Sequence, residues 1–325
     1  MPFPVEIFPC DCRDAMLHFI EPESVDCVVT SPPYFGLRDY GVDGQIGVEP
    51  TAEEFIEALV DVFRHVRRVL KDDGTVWLNL GDSYSRSAAK GGSGPNGKNE
   101  SRWGYGAAQS AKKGSSDGAV GRADRPGTRS GGLGEKQLLG IPWRVALALQ
   151  ADGWYLRQDI IWHKPNPMPE SVKDRFTRAH EYLFLLTKNP RYYFDADAVK
   201  EPANYANDPR AGRGRLISEN RERTGVKGEG AESFVSIKSH RNKRDVWTIT
   251  PRPFKGAHFA TFPPDLVEPC VLAGSRPGGL VYDPFGGSGT TALVALQHGR
   301  RAVLSELNPV YVEIAKGRIT DALSR

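Results

Sequence analysis

Two short segments carry residue types that could do chemistry. The first is Asp283-Pro284-Phe285-Gly286-Gly287-Ser288-Gly289-Thr290-Thr291, which follows an apolar run from Gly279 to Tyr282 and opens a helical pattern through Ala292 to His298. Glycines between a strand and a helix let the backbone approach a ligand closely, and ligands of open α/β sheets bind at the carboxyl ends of the strands. No Lys follows the glycines, so this is not a phosphate loop of the nucleoside triphosphatase type. The next apolar run ends at Glu306-Leu307, which places a carboxylate like the acidic residue that holds ribose hydroxyls in dinucleotide sites. An adenosine-containing ligand without a phosphate requirement fits this pair; a tight corner with no ligand is the plainer alternative.

The second segment is Thr30-Ser31-Pro32-Pro33-Tyr34, at the end of the apolar run Val25 to Val29. Two successive prolines hold the chain extended, aim the preceding carbonyl outward and supply no N–H to pair with it. With a hydroxyl and an aromatic ring beside them, they make a grip for a planar amine. An ordinary Pro-rich turn with a surface Tyr is the alternative.

These segments need a scaffold. With 325 residues, 39% of them hydrophobic, the chain is long enough for one α/β domain with a sizeable core and a smaller appended region. Strands are expected at Val5 to Pro9, Val25 to Thr30, Thr75 to Leu80, Leu156 to His163, Tyr182 to Thr187, Gly279 to Tyr282 and Arg301 to Ser305. Alternation of such runs with helical patterns implies a mostly parallel sheet covered on both faces. Thr51 and Glu54 mark a helix start, after which Phe55, Leu59, Val62, Phe63, Val66, Val69 and Leu70 recur at helical spacing. Further helices are expected from Ile141 to Gln150 and after Asn308-Pro309.

Two stretches break the compact pattern. Between Arg86 and Lys136 there are ten Lys/Arg against four Asp/Glu among many Gly and Ser, and this segment is read as a mobile basic loop. The interval Glu201 to Lys255 includes Arg213, Arg215, Arg241, Lys243 and Arg244 with few apolar positions. Charge alone leaves open whether these are solvated linkers or nucleic-acid contacts, since the net charge of +3 permits such a partner without demanding one. No apolar stretch approaches the roughly 20 residues that span a bilayer, and no export signal is evident, so a cytoplasmic location is expected. Cys10, Cys12, Cys27 and Cys270 lack the spacing of a zinc site and are read as packing residues; no metal is expected.

Taken together, the segments resemble the amino-group DNA methyltransferases, in the circularly permuted β class whose glycine motif lies near the C-terminus. Thr30 to Tyr34 resembles motif IV and Asp283 to Thr291 motif I; Asp159 to Pro167 is similar to motif VIII, and His258-Phe259-Ala260-Thr261-Phe262-Pro263 stands in the place of motif X. Cys10-Asp11-Cys12 resembles motif III, where an acidic side chain faces the adenine amino group.

The resemblance implies a Rossmann-like, S-adenosylmethionine (SAM)-dependent fold, an α/β architecture with a mostly parallel seven-stranded sheet and one antiparallel strand from the Leu156 to Thr187 hairpin. It implies a catalytic half at 1–187, a target-recognition region at 188–257 and a SAM-binding half at 258–325. SAM would meet Asp11, Cys12, Thr30, His258 to Thr261, Asp283, Pro284, Phe285, Gly287, Ser288, Gly289, Thr290, Glu306 and Leu307. Double-stranded DNA would meet Arg213, Arg215, Arg241, Lys243 and Arg244, with His163 and Lys164 at the base pocket.

In the implied mechanism Ser31 Oγ and the Pro32 carbonyl accept the two amino hydrogens of a flipped base, Pro33 fixes the turn, and Tyr34 stacks on the ring. The alternative of a Cys nucleophile attacking a pyrimidine carbon is disfavoured, because Cys10 precedes the motif III Asp and Cys270 lies in a helical pattern. Ser at the head of the PPY signature resembles members that methylate N4 of cytosine; N6 of adenine is the alternative. RNA or protein methylation, or an inactive DNA-binding relative, fit the resemblance less well. A partner restriction endonuclease, and a monomeric or homodimeric state, are left open.

Overall fold

The computed structural model describes residues 5–37, 39–85, 133–203, 240–251 and 262–324. In chain order β1 (Val5–Phe8), α1 (Cys12–His18), β2 (Val25–Thr30), α2 (Ala52–Val69), β3 (Leu70–Leu80) and α3 (Ile141–Ala151) precede the hairpin of β4 (Tyr155–His163) and β5 (His180–Thr187). Then come β6 (Glu201–Pro202), β7 (His240–Arg241), β8 (Val246–Thr248), α4 (Pro264–Gly274), β9 (Leu280–Asp283), α5 (Thr290–Gln297), β10 (Arg301–Ser305) and α6 (Pro309–Leu323).

Eight strands form one sheet in the order β1-β10-β9-β2-β3-β5-β4-β8, and only β5 runs against its neighbours. The expected antiparallel hairpin strand is therefore β5. The eighth strand, β8, was not anticipated: its three residues are too few to show a pattern, and pairing with β4 at the sheet edge is what orders them. β3 starts at Leu70 and not at Thr75, because the polar Lys71, Asp72 and Asp73 hide the first half of the strand. For the same reason Leu70, expected on the last turn of α2, caps that helix and opens the strand.

Side-chain alternation splits the core in two. Val28, Val76, Leu78 and Leu186 face the layer made by α1, α2 and α3, while Cys27, Val29, Trp77 and Leu185 face α4, α5 and α6. The helix starts follow the local chemistry: Thr51 Oγ1 accepts from Glu54 N at 3.2 Å, and Asn308 Oδ1 from Val310 N at 2.9 Å ahead of Pro309.

Sheet order matters most for function. From β9 the chain winds through α5 to β10, and from β2 through α2 to β3, in opposite directions. The border between β9 and β2 is thus a winding reversal, where the carboxyl ends of adjacent strands diverge and a crevice opens.

Candidate active site

The two segments singled out by their chemistry meet at that reversal. Thr30 ends β2 and Asp283 ends β9; the Thr30 hydroxyl donates to Asp283 Oδ1 at 2.7 Å across 253 positions of sequence. Thr291 donates to Asp283 Oδ2 at 2.7 Å, and the Phe285 N–H to Oδ1 at 3.0 Å. Burial drives the Asp283 carboxyl up to about 6, against the pull of these donors. Asp283 and Thr30 accordingly sit beneath the cleft as the joint between both segments.

Above them opens a cleft of about 900 Å³, part of it open to solvent. Its walls take in Pro284, Phe285, Gly287, Ser288 and Thr290 from the glycine-rich turn, Glu306 and Leu307 beyond β10, Asp11 and Cys12 after β1, and Ser31 and Pro33 from the Pro-Pro turn. All of these were candidates on sequence grounds. Gly289 stands just outside, at φ +79° as the cap of α5, where a Cβ would lie 3.1 Å from that of Ala315. His258, Phe259, Ala260 and Thr261 lie outside the described residues, as do Arg213 and Arg215; Phe262, next in the chain, lines the cleft.

The cleft also recruits residues that sequence reasoning missed. Tyr40, Val42, Gly44, Gln45 and Ile46 form one wall, tied to α6 by the Tyr40–Tyr311 ring contact at 6.1 Å and by Asn308 Nδ2 donating to the Tyr40 carbonyl at 3.4 Å. Nothing in their types marks them, since they are brought there by the chain's return after the Pro-Pro turn. On the other side Arg318 of α6 donates to the Ser288 carbonyl at 2.6 Å and to its hydroxyl at 2.7 Å, bracing the turn from behind.

The carboxylates are already engaged. Glu306 accepts from Gly287 N at 2.7 Å and from Asn308 N at 2.8 Å, and burial pushes its carboxyl up. A carboxylate has about four acceptor sites, so two remain for ligand hydroxyls. Burial also raises the Asp11 carboxyl, but hydrogen bonds from the Arg13 backbone and guanidinium outweigh it and hold the group below its ordinary range. Glycine backbone for close approach, unused Glu306 lone pairs at the far wall, and Phe262, Phe285 and Tyr311 for apolar contact suit an adenosine-type ligand.

Beside the cleft lies a polar cluster. Tyr34 donates toward Glu181 Oε2 at 2.8 Å and lies 3.1 Å from Asn79 Oδ1; Ser31 Oγ is 3.2 Å from the same amide oxygen. Lys164 closes the cluster with an ion pair to Glu181 Oε1 and sits over the Trp162 ring at 4.1 Å. The Tyr34 ring rests on Gly81, where a Cβ would fall 2.4 Å from ring carbon Cε2. His163 faces Thr248 of β8, its Nδ1 3.1 Å from the hydroxyl.

The cysteines are not set up as nucleophiles. Burial raises the thiol of Cys10, that of Cys27 to about 12, and those of Cys12 and Cys270 well above the ordinary range, away from the thiolate form that would attack a ring.

A sheet with a glycine-lined, carboxylate-flanked cleft at its winding reversal defines the Rossmann-like class of nucleoside-binding α/β enzymes. A family model described as DNA methylase matches residues 25–317, and the chain belongs to that family. It is 47% identical over 311 residues to the type II methyltransferase M.SmaI of Serratia marcescens, covering 95% of this chain and 88% of the relative. Among solved structures, the cytosine-N4-specific PvuII DNA methyltransferase superposes with a TM-score of 0.59 at 18% identity, over 99% of this chain and 92% of that one. TTHA0409 of Thermus thermophilus, complexed with S-adenosyl-L-methionine, superposes with a TM-score of 0.56 at 23% identity, over 97% and 95%. The fold shared with these structures is the Rossmann-like, mostly parallel α/β fold expected from the sequence.

Proposed function

We propose that this chain is a type II, SAM-dependent DNA methyltransferase of the permuted class that modifies N4 of cytosine in a specific duplex sequence. The carrying observation is that Ser31 and Pro33 line the same cleft as the glycine-rich turn and Glu306. SAM supplies an electrophilic methyl group; the chain's own residues bind the donor, hold the acceptor and exclude water. Gly287 and Ser288 would approach the donor by their backbone, Glu306 would take ribose hydroxyls on its unused lone pairs, and Asp11 would serve the adenine end.

An exocyclic amine is a weak nucleophile because its lone pair is delocalised into the ring. Ser31 Oγ and the Pro32 carbonyl accept its two hydrogens, which favours a pyramidal nitrogen with the lone pair aimed into the cleft. Tyr34, backed by Gly81, stacks on the extruded base and replaces part of the stacking lost on leaving the duplex. Catalysis then rests on positioning and on acceptors fixed before positive charge develops at nitrogen.

Support for cytosine comes from Ser31 at the head of the PPY signature and from the fold shared with a cytosine-N4 enzyme. Residues 188–257 form the target-recognition region in this reading, and a companion endonuclease accompanies the enzyme, as the type II relatives suggest. Digesting DNA from a host that expresses the chain and weighing the nucleosides tests the assignment. N4-methylcytosine is expected; N6-methyladenine in its place would overturn the base, and no modified base at all would overturn the activity.

A further inference from the structure

Asn79 is a polar side chain only 2% exposed, set between Leu78 and Leu80 on β3. Its orientation is fixed from one side. Nδ2 donates to the Tyr182 carbonyl at 3.0 Å and lies 3.5 Å from Glu181 Oε2, and turning the amide over would put oxygen against oxygen at both places. Oδ1 therefore faces the Pro-Pro turn, where it can only accept. Ser31 lies within reach at 3.2 Å, while the Tyr34 hydroxyl has the nearer Glu181 oxygen at 2.8 Å.

This division of acceptors decides what Ser31 can do. A serine hydroxyl free to rotate could give its proton to the lone pair of the incoming amine, the electrons that must form the new bond. A hydroxyl whose proton is held by Asn79 can meet the amine only with oxygen lone pairs.

We infer that Asn79 and Glu181 are positioning residues for methyl transfer: Asn79 accepts the hydrogen bond of the Ser31 hydroxyl and so leaves Ser31 only lone pairs to offer the amine, while Glu181, itself anchored by Lys164, accepts that of Tyr34. The inference rests on the proposed role of Ser31 as amine acceptor. It adds a source for that role on the next two strands of the sheet, β3 and β5, with neither residue required to touch the base. It also explains why a carboxylate and an amide stand together beside the Pro-Pro turn.

A double-mutant cycle tests it, read as the single-turnover methylation rate with SAM and DNA saturating. Ser31→Ala and Asn79→Ala are each expected to slow the step about 100-fold, the usual scale for losing one preorganised partner of a developing charge. Together they should be no slower than Ser31→Ala alone by more than roughly 3-fold, because both remove one function. SAM affinity, measured by titration, should stay unchanged in all three. If Asn79→Ala slows the reaction equally in the native and Ser31→Ala backgrounds, Asn79 acts only through packing and the inference falls, with the proposed function intact. If Ser31→Ala itself leaves the rate untouched, the acceptor role falls and this inference with it.

Asn79→Asp keeps the cycle readable should the Ala variant not fold. The neutral carboxyl can donate to the Tyr182 carbonyl and still accept from Ser31, whereas ionisation sets oxygen against the Tyr182 carbonyl and Glu181, so the variant's rate should fall with rising pH relative to that of the native chain. Parallel profiles would overturn the inference.

Discussion

Asp283 carries opposing demands on one side chain. Three donors fix its oxygens at the joint of β2 and β9, yet burial raises its carboxyl from 3.8 to about 6. A folded value above the unfolded one means that the stabilising contribution is complete below about 3.8 and is lost as pH rises through about 6. At about 1.4 kcal/mol per unit, the ionised form costs the fold on the order of 3 kcal/mol at pH 8. Asp283→Asn, which cannot ionise, should gain on the native chain by up to that amount between pH 4 and pH 8, as read by urea unfolding at several pH values. A difference independent of pH would show that the carboxyl titrates ordinarily. Sequence reasoning placed Asp283 at the cofactor because it heads the glycine-rich turn. The structure buries it beneath the cleft, bonded to Thr30 and Thr291, a place that only those contacts reveal. Asn79 and Glu181 escaped for a related reason: a single polar residue inside a buried strand is invisible until its cross-strand partners are known.

At the scale of elements, much was legible wherever burial was continuous. All six residues of β2 are buried, and its apolar run reads directly as a covered strand. The helix α1 was not foreseen, since its seven residues are too short to show a period. What sequence could not supply is which helix braces which turn. Arg318 reaches back from the second half of α6 to Ser288, so truncating it frees a carbonyl and a hydroxyl at the proposed cofactor wall while leaving the proposed base site alone. Arg318→Ala should weaken SAM binding about tenfold, the scale of one charge-assisted hydrogen bond, with little change in rate once SAM saturates. Calorimetric titration of SAM, paired with saturated rates, checks the split. A close approach is equally specific at the end of α4: a Cβ on Gly274 would fall 2.4 Å from Thr75 Oγ1 and 2.6 Å from Trp77 Nε1. Gly274→Ala should cost about 1–3 kcal/mol of unfolding free energy from overpacking, measurable by denaturant titration.

Over the whole molecule, the winding reversal lets a chain with its two functional segments at opposite ends of the sequence build one cleft, and the motif order was enough to anticipate their meeting. The surface proposed to face DNA was less legible, because a basic composition does not say which charges are spent inside the protein. Arg241 and Arg244 both pair with Glu201 Oε1, at 2.8 and 2.7 Å, and Lys243 sits 5.0 Å over the Trp247 ring. Their side chains differ in access, 29% exposed for Arg241 against 63% for Arg244. The second can therefore keep Glu201 and still offer guanidinium donors to a phosphate, whereas the first is held in place beside β6. Each phosphate contact contributes about 0.9 to the slope of log affinity against log salt, through released counterions. Arg244→Gln is accordingly expected to flatten that slope by nearly one unit on cognate and unrelated duplexes alike, and Arg241→Gln to leave it close to native. Fluorescence anisotropy across a salt series measures both. Equal slopes for the native chain and Arg244→Gln would remove this edge of the sheet from the DNA interface.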